Sequence, residues 1–314
     1  MAVIARLHGT NTTSLICRKY TYMDVKGEHL HRLNAIHVAG TNGKGSTCAF
    51  ASSLLTAQGS ITGYPRKVGL YTSPHMRHIR ERIRINGEPI SKECFATRFF
   101  EIWAKLPHQA TPELDIPRYL QLLALLAFHV FIVENVDVAI FEAHLGGEWD
   151  ATNVMKSPTV VGISKIAEDH IKLLGPTIES IAWHKAGIMK PGALAFSSFQ
   201  TTEITSVLQQ RACDKKVALE FVGIDSALPE KAALVPEAQK MNCSLALALV
   251  RSWLLSKFDK KHGLAEDGIK LGVERFEWPG RYQHMDDKYI QWYLDGAHNI
   301  SSLQSTVAWF AKTV

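Results

Sequence analysis

Short apolar runs alternate along this chain with longer stretches in which apolar positions recur at helical spacing. Asn34-Ala-Ile-His-Val-Ala39 reads as a buried strand, and so do Val68-Gly-Leu-Tyr71, Val136-Asp-Val-Ala-Ile-Phe141 and Thr159-Val-Val-Gly-Ile163. Further strands are expected near Leu194–Phe196 and Leu219–Val222. Between them the pattern predicts helices over Cys48–Gln58, Ser91–Lys105, Arg118–Asn135, Thr177–Ile188, from Thr201 onward, and over Glu237–Lys257. Ser91 is placed to cap its helix, with Cys94 and Phe95 starting the apolar face, and Pro191-Gly192 stops the Thr177 helix. This β–α alternation predicts an α/β fold with a doubly wound, mostly parallel sheet.

Asp259–Gly272 is polar and includes Gly263, Asp267 and Gly268, so it reads as the approach to a domain boundary. After Trp278-Pro-Gly-Arg281 comes a strand, Tyr289–Leu294, which ends at Asp295-Gly-Ala-His298; a helix then runs from Ser301 to the last residue. We therefore expect an N-terminal extension at 1–29, a main domain at 30–277, and the start of an incomplete second domain at 278–314. The 37 residues of that last piece fall below the roughly 50 a free-standing domain needs.

The richest chemistry sits after the first strand, at His37-Val-Ala-Gly-Thr-Asn-Gly-Lys-Gly-Ser-Thr47. A glycine turn (Gly40, Thr41, Asn42, Gly43) leads to Lys44, Gly45, Ser46 and Thr47 at the opening of a helix. Backbone N–H groups in the turn, the helix N-terminus and the lysine charge together suit a nucleotide triphosphate. The match to the general phosphate-loop pattern is imperfect: His37 stands where the first glycine would be, and Gly45 separates Lys44 from Ser46.

Composition narrows the partners. The chain has 314 residues, 46% hydrophobic and 21% charged, with net charge +5. No Lys/Arg run or aromatic-interleaved basic patch marks a nucleic-acid partner, and no apolar run approaches the roughly 18 residues of a membrane span. Five scattered cysteines, with no CxxC pair, argue for a reducing compartment and against a zinc site. Residues 1–19 carry Arg6, Arg18 and Lys19 with no acid, which is similar to a transit peptide. The expected location is cytoplasmic, or mitochondrial if that stretch is read as an address.

In an open α/β sheet, ligands gather at the carboxyl ends of the strands. There the chain places Ser73 after the second strand, Glu142 after the third and His170 after the fourth. A hydroxyl, a carboxylate and an imidazole converging beside a triphosphate could hold Mg²⁺, which prefers oxygen and keeps several waters. Each residue alone also suits a plain structural role, Ser73 as a turn residue before Pro74.

Several motifs in order carry a resemblance. Gly-Thr-Asn-Gly-Lys-Gly-Ser resembles the loop of the folate branch of the Mur ligase superfamily. Gly69-Leu-Tyr-Thr-Ser-Pro-His75, Arg80-Glu-Arg-Ile-Arg-Ile-Asn86, Asp169-His170, Ile181-Ala-Trp-His-Lys-Ala-Gly187, Trp278-Pro-Gly-Arg281 and Ile290–His298 look like the folylpolyglutamate synthase family, in its eukaryotic, fungal-like form. The resemblance implies a Mur ligase-like central domain followed by an incomplete, Rossmann-like second domain. It implies ATP-dependent addition of L-glutamate to the γ-carboxylate of tetrahydrofolate (poly)glutamates through an acyl phosphate, by a monomer using ATP and Mg²⁺. It implies that Gly43, Lys44 and Ser46 hold phosphates, that Ser73 and Glu142 bind one Mg²⁺ and His170 a second, and that Lys185 is the carbamylated lysine. Arg281 and Asp295 match nucleotide contacts with His298 close by, and Arg80–Arg84 would lie near the pterin or glutamate tail.

The chain also departs from the family pattern. Where Glu-Val-Gly-x-Gly-Gly is usual, it reads Glu142-Ala-His144-Leu-Gly-Gly147, so a histidine replaces a glycine. Were that glycine needed for positive φ or close phosphate approach, His144 would strain or block the loop. Ser164-Lys-Ile-Ala-Glu168 is more charged than the family version, and the family continues past Asp-Gly-Ala-His. Two alternatives stay open: a dihydrofolate synthase-type ligase, against which the Arg80–Asn86 motif speaks, and a non-catalytic nucleotide-binding paralogue or remnant.

Overall fold

A computed structural model describes residues 27–106, 116–258 and 263–314. The transit-like stretch 1–19 and residues 259–262 lie outside them. The first elements are α1 (Gly27–Arg32), β1 (Ile36–Ala39), α2 (Lys44–Thr62), β2 (Val68–Tyr71), β3 (Ile83–Ile85), β4 (Glu88–Pro89), α3 (Lys92–Trp103) and α4 (Tyr119–Val133). Then come β5 (Val138–Glu142), β6 (Val160–Ile163), α5 (Ile171–Leu174), α6 (Ile178–Lys185), β7 (Leu194–Ser198), α7 (Thr202–Asp214), β8 (Ala218–Val222), α8 (Glu237–Leu255) and α9 (Glu266–Glu274). A hairpin of β9 (Gln283–Asp286) and β10 (Gln291–Leu294) and the helix α10 (Ile300–Thr313) finish the chain.

The large sheet runs β4-β3-β2-β5-β1-β6-β7-β8. Its pairings from β2 to β8 are parallel, and only the pairings of β3 with β2 and with β4, at one edge, are antiparallel. β1, β2, β5 and β6 are buried throughout, as strands covered on both faces must be. Alternate residues face opposite layers: Ile36, Val38, Val138 and Ile140 pack with α2, α8 and α9, whereas Ala139 and Phe141 pack with α4. Ala39, Val161 and Ile163 meet α6 and α7 further along that second face. Each fully buried Leu, Ile or Phe in these layers contributes about 1.5–3 kcal/mol relative to exposure.

Caps fall where the side chains put them. Ser91 Oγ accepts from Cys94 N at 3.0 Å, and Thr177 Oγ1 from Ser180 N at 3.2 Å. Three expectations need correction. Helix α2 begins at Lys44, so Ser46 and Thr47 lie inside its first turn rather than before it. The polar approach to a boundary contains α9, whose Ile269 and Val273 bury against α2 while Ser53 Oγ donates to Gly272 O at 2.6 Å. A stripe of two apolar residues among acids and glycines is too thin to read as a helix from sequence. Likewise β3, β4 and β9 are too short and too polar to stand out. Among the described residues no helix is long and apolar enough to cross a membrane.

Candidate active site

The phosphate-type loop is held by backbone geometry. Gly40 has φ +149° and Gly43, the N-cap of α2, has φ +87°; a Cβ would sit 2.0 Å from Ser164 Oγ at the first and 2.1 Å from Asn242 Oδ1 at the second. Only glycine satisfies both demands. The amides of Thr41 and Asn42 both donate to Lys165 O, at 2.9 and 3.0 Å, clamping the turn to the segment after β6. Lys44 Nζ folds back to Thr41 O at 3.1 Å. The first N–H groups of α2 have no intrahelical partner and add positive potential.

Because β2 and β5 are neighbours, the residues after them meet. Ser73 N donates to Glu142 Oε2 at 2.8 Å, and Glu142 is only 4% exposed. Burial raises the Glu142 carboxyl pKa, against the opposing pull of Lys44, the Ser73 amide and Arg281. A buried carboxylate beside a serine is a hard-oxygen donor set that fits Mg²⁺. Among the described residues no group of three or more His, Cys, Asp or Glu is arranged around a metal, so water and phosphate would complete the shell. His170 lines the same cleft from a left-handed turn (φ +50°), its Nε2 3.5 Å from Asp169 Oδ2.

Lys185 lies beneath the loop, 2% exposed, with Nζ donating to Gly40 O at 2.5 Å. Burial, with the nearby charge of Lys44, lowers its pKa to about 7. From the far side come Arg281, Asp295 and His298. Asp295 accepts from Tyr282 N (2.8 Å), Ala297 N (2.8 Å) and Thr306 Oγ1 (3.0 Å), so most of its acceptor capacity already organises its own loop. His298 Nδ1 sits 2.8 Å from Gly296 O, which leaves Nε2 for other partners.

These pieces surround a cleft of ≈ 660 Å³. Thr41 through Ser46, Ser73, Glu142, His170, Arg281, Asp295 and His298 all line it, whereas Gly40, Thr47 and Lys185 stand behind its wall. Lys165, in the charged stretch after β6, lines it too, and sequence reasoning missed Phe199, Glu237, Met241 and Asn242, which also line it. No local motif marks them; α8 reaches the cleft only because it packs beside α2. His144 does not strain its loop, since the left-handed backbone there belongs to Gly146 (φ +65°). Its ring is buried, with Nε2 2.7 Å from Tyr71 Oη.

No protein-family model matches the chain. It is 44% identical to a folylpolyglutamate synthase of Neurospora crassa over 91% of its length and 56% of the relative. It is 39% identical to the mitochondrial folylpolyglutamate synthase of Homo sapiens over 91% of its length and 52% of the relative. The chain thus spans about half the length of these curated relatives. Among solved structures, Mycobacterium tuberculosis folylpolyglutamate synthase complexed with ADP matches with TM-score 0.79 and 29% identity, over 94% of this chain and 69% of that one. An FPGS–AMPPCP–folate complex matches with TM-score 0.78 and 25% identity, over 97% and 81%. Over the part of those proteins that it spans, the chain belongs to the folylpolyglutamate synthase family.

Proposed function

We propose that the protein is an ATP-dependent ligase that adds L-glutamate to the γ-carboxylate of tetrahydrofolate (poly)glutamates through an acyl phosphate, acting as a monomer. The observation that carries this reading is one cleft in which the Thr41–Ser46 loop with its Lys44 and the Ser73–Glu142 oxygen pair converge, with Lys185 directly behind. The complexes of relatives with ADP, and with AMPPCP and folate, support it.

A carboxylate is a poor electrophile, so it needs activation. The γ-carboxylate oxygen attacks the terminal phosphorus of ATP and ADP departs. The glutamate amine, having lost a proton, then attacks the acyl carbon; the C–N bond forms, the C–O bond breaks, and phosphate leaves. Lys44 and the N-terminus of α2 hold the phosphates, and Arg281 meets the nucleotide. Ser73 and Glu142 would hold one Mg²⁺ and His170 would contribute to a second; such ions would offset charge on the phosphoryl group in transfer. Lys185, its pKa lowered to about 7, has enough neutral amine near pH 7 to suit capture of CO₂ as a carbamate: the N–C bond forms, a proton leaves, and the buried amine becomes an anion. His298 is placed to act on phosphate or proton through Nε2.

The test is ligation of radiolabelled glutamate to tetrahydrofolate with MgATP. A ladder of longer products is expected. Product only with dihydropteroate would assign a dihydrofolate synthase instead, and MgATP binding with no product from either acceptor would overturn ligation by this chain.

A further inference from the structure

His144 stands where the resemblance leads one to expect glycine, and the ligase reading gives it no task. Its surroundings do. β2 and β5 run parallel in register, with Tyr71 opposite Phe141. Two residues beyond Tyr71, Ser73 N donates to Glu142 Oε2 at 2.8 Å; two residues beyond Glu142, His144 Nε2 lies 2.7 Å from Tyr71 Oη. The two contacts close a ring: Tyr71, Thr72, Ser73, across to Glu142, Ala143, His144, and back to Tyr71.

The far side of His144 is braced. Its Nδ1 lies 3.5 Å from Asp150 Oδ1, and both side chains are almost fully buried. Asp150 is itself fastened, Oδ2 accepting from Leu145 N at 2.8 Å, and Oδ1 from Thr152 N at 2.9 Å and Thr152 Oγ1 at 2.6 Å. Nδ1 rests near the Asp150 carboxylate without a hydrogen bond of its own, and in the tautomer that leaves Nε2 as acceptor Tyr71 Oη–H donates to it. The Tyr71 and His144 rings meet edge to face, 5.3 Å apart, which orients the imidazole plane.

We propose that His144 is a positioning residue that locks Ser73 and Glu142 into one oxygen pair shaped for a divalent cation. A glycine there would remove the Tyr71–His144 contact and leave the residues beyond the β2–β5 ladder joined only by the Ser73–Glu142 bond. The cation part of this inference rests on the metal reading above; the locking part does not.

The experiment separates the two. Amide hydrogen exchange of Ser73, followed by NMR in the ligand-free chain, reports the lock without metal or turnover. His144→Ala and Tyr71→Phe should each speed that exchange about tenfold, the loss of roughly one net hydrogen bond. The double variant should be no faster than either alone, His144→Gln should restore most of the protection, and β8 amides should stay unchanged as a reference. Mn²⁺ affinity with a non-hydrolysable ATP analogue, read by EPR, should fall in parallel. Unchanged Ser73 exchange, or additive effects, would overturn the lock. Faster exchange with unaltered Mn²⁺ affinity would overturn the cation role. Absent ligation with the lock and the Mn²⁺ effect intact would remove the ligase reading alone.

Discussion

Asn42 in the phosphate-type loop and Asn299 at the N-cap of α10 form a reciprocal amide pair. Asn299 Nδ2 donates to Asn42 Oδ1 at 2.9 Å, and Asn42 Nδ2 approaches Asn299 Oδ1 at 3.4 Å. The same Asn299 Oδ1 caps α10 by accepting from Ser302 N at 2.9 Å. The pair ties the last segment of the chain to the loop that would hold phosphate. Asn299→Ser keeps a capping oxygen but cannot reach Asn42. It should leave helicity by circular dichroism unchanged and weaken nucleotide binding about fivefold, as expected for about one net hydrogen bond. Unaltered affinity by calorimetry would refute the coupling.

Gly43→Ala tests the loop itself. The substitution must hold a Cβ at φ +87° and displace the Asn242 carboxamide. We expect a loss of about 1–3 kcal/mol in stability, seen as a lower denaturation midpoint, together with loss of nucleotide binding. A variant that binds ATP normally would show that the turn relaxes without cost to the site.

Lys185 should give a pH-dependent carbamate signal. Below its pKa of about 7 the ammonium form dominates and cannot add CO₂; above it the neutral amine does. With ¹³C-bicarbonate, the carbamate resonance should grow from pH 6 to pH 8 and be missing in Lys185→Gln. A signal that falls across that range would contradict the lysine assignment.

His37 should make the fold acid-sensitive. Burial outweighs the pull of Asp150 and lowers its pKa from 6.5 to about 3, while Nε2 bonds Thr152 Oγ1 at 2.8 Å. Between those values the unfolded chain binds a proton that the native chain does not. Stability is therefore complete above pH 6.5 and is lost as pH falls, by about 1.4 kcal/mol per unit. Urea denaturation of His37→Gln between pH 6.5 and 5 should show a slope shallower by about that amount.

Much of this was legible in the chain. The strands at Ile36, Val68, Val138 and Val160 announce themselves because burial on both faces demands unbroken apolar runs. The loop at Gly40–Thr47 shows in residue types alone, since positive φ, a phosphate-seeking cation and a helix start each leave a local mark. β3 and β4 do not, because strands of three and two residues, Ile-Arg-Ile and Glu-Pro, have no run to notice. Asn242 and Phe199 carry no mark at all, since their place in the cleft depends on neighbours distant in sequence.

The amino-acid sequence by itself determined the β–α alternation, the phosphate-type loop and the residues waiting at each strand end, because these follow from local periodicity and backbone chemistry. Only the tertiary structure decided the strand order that sets β5 and β6 on either side of β1 and so brings Glu142, Ser73, His170 and Lys44 to one cleft. It alone decided that His144 would be bonded to Tyr71 rather than strained, and that Asn299 would meet Asn42. Pairing between strands and packing between layers are settled by what each surface finds opposite it, and no single stretch of chain carries that information.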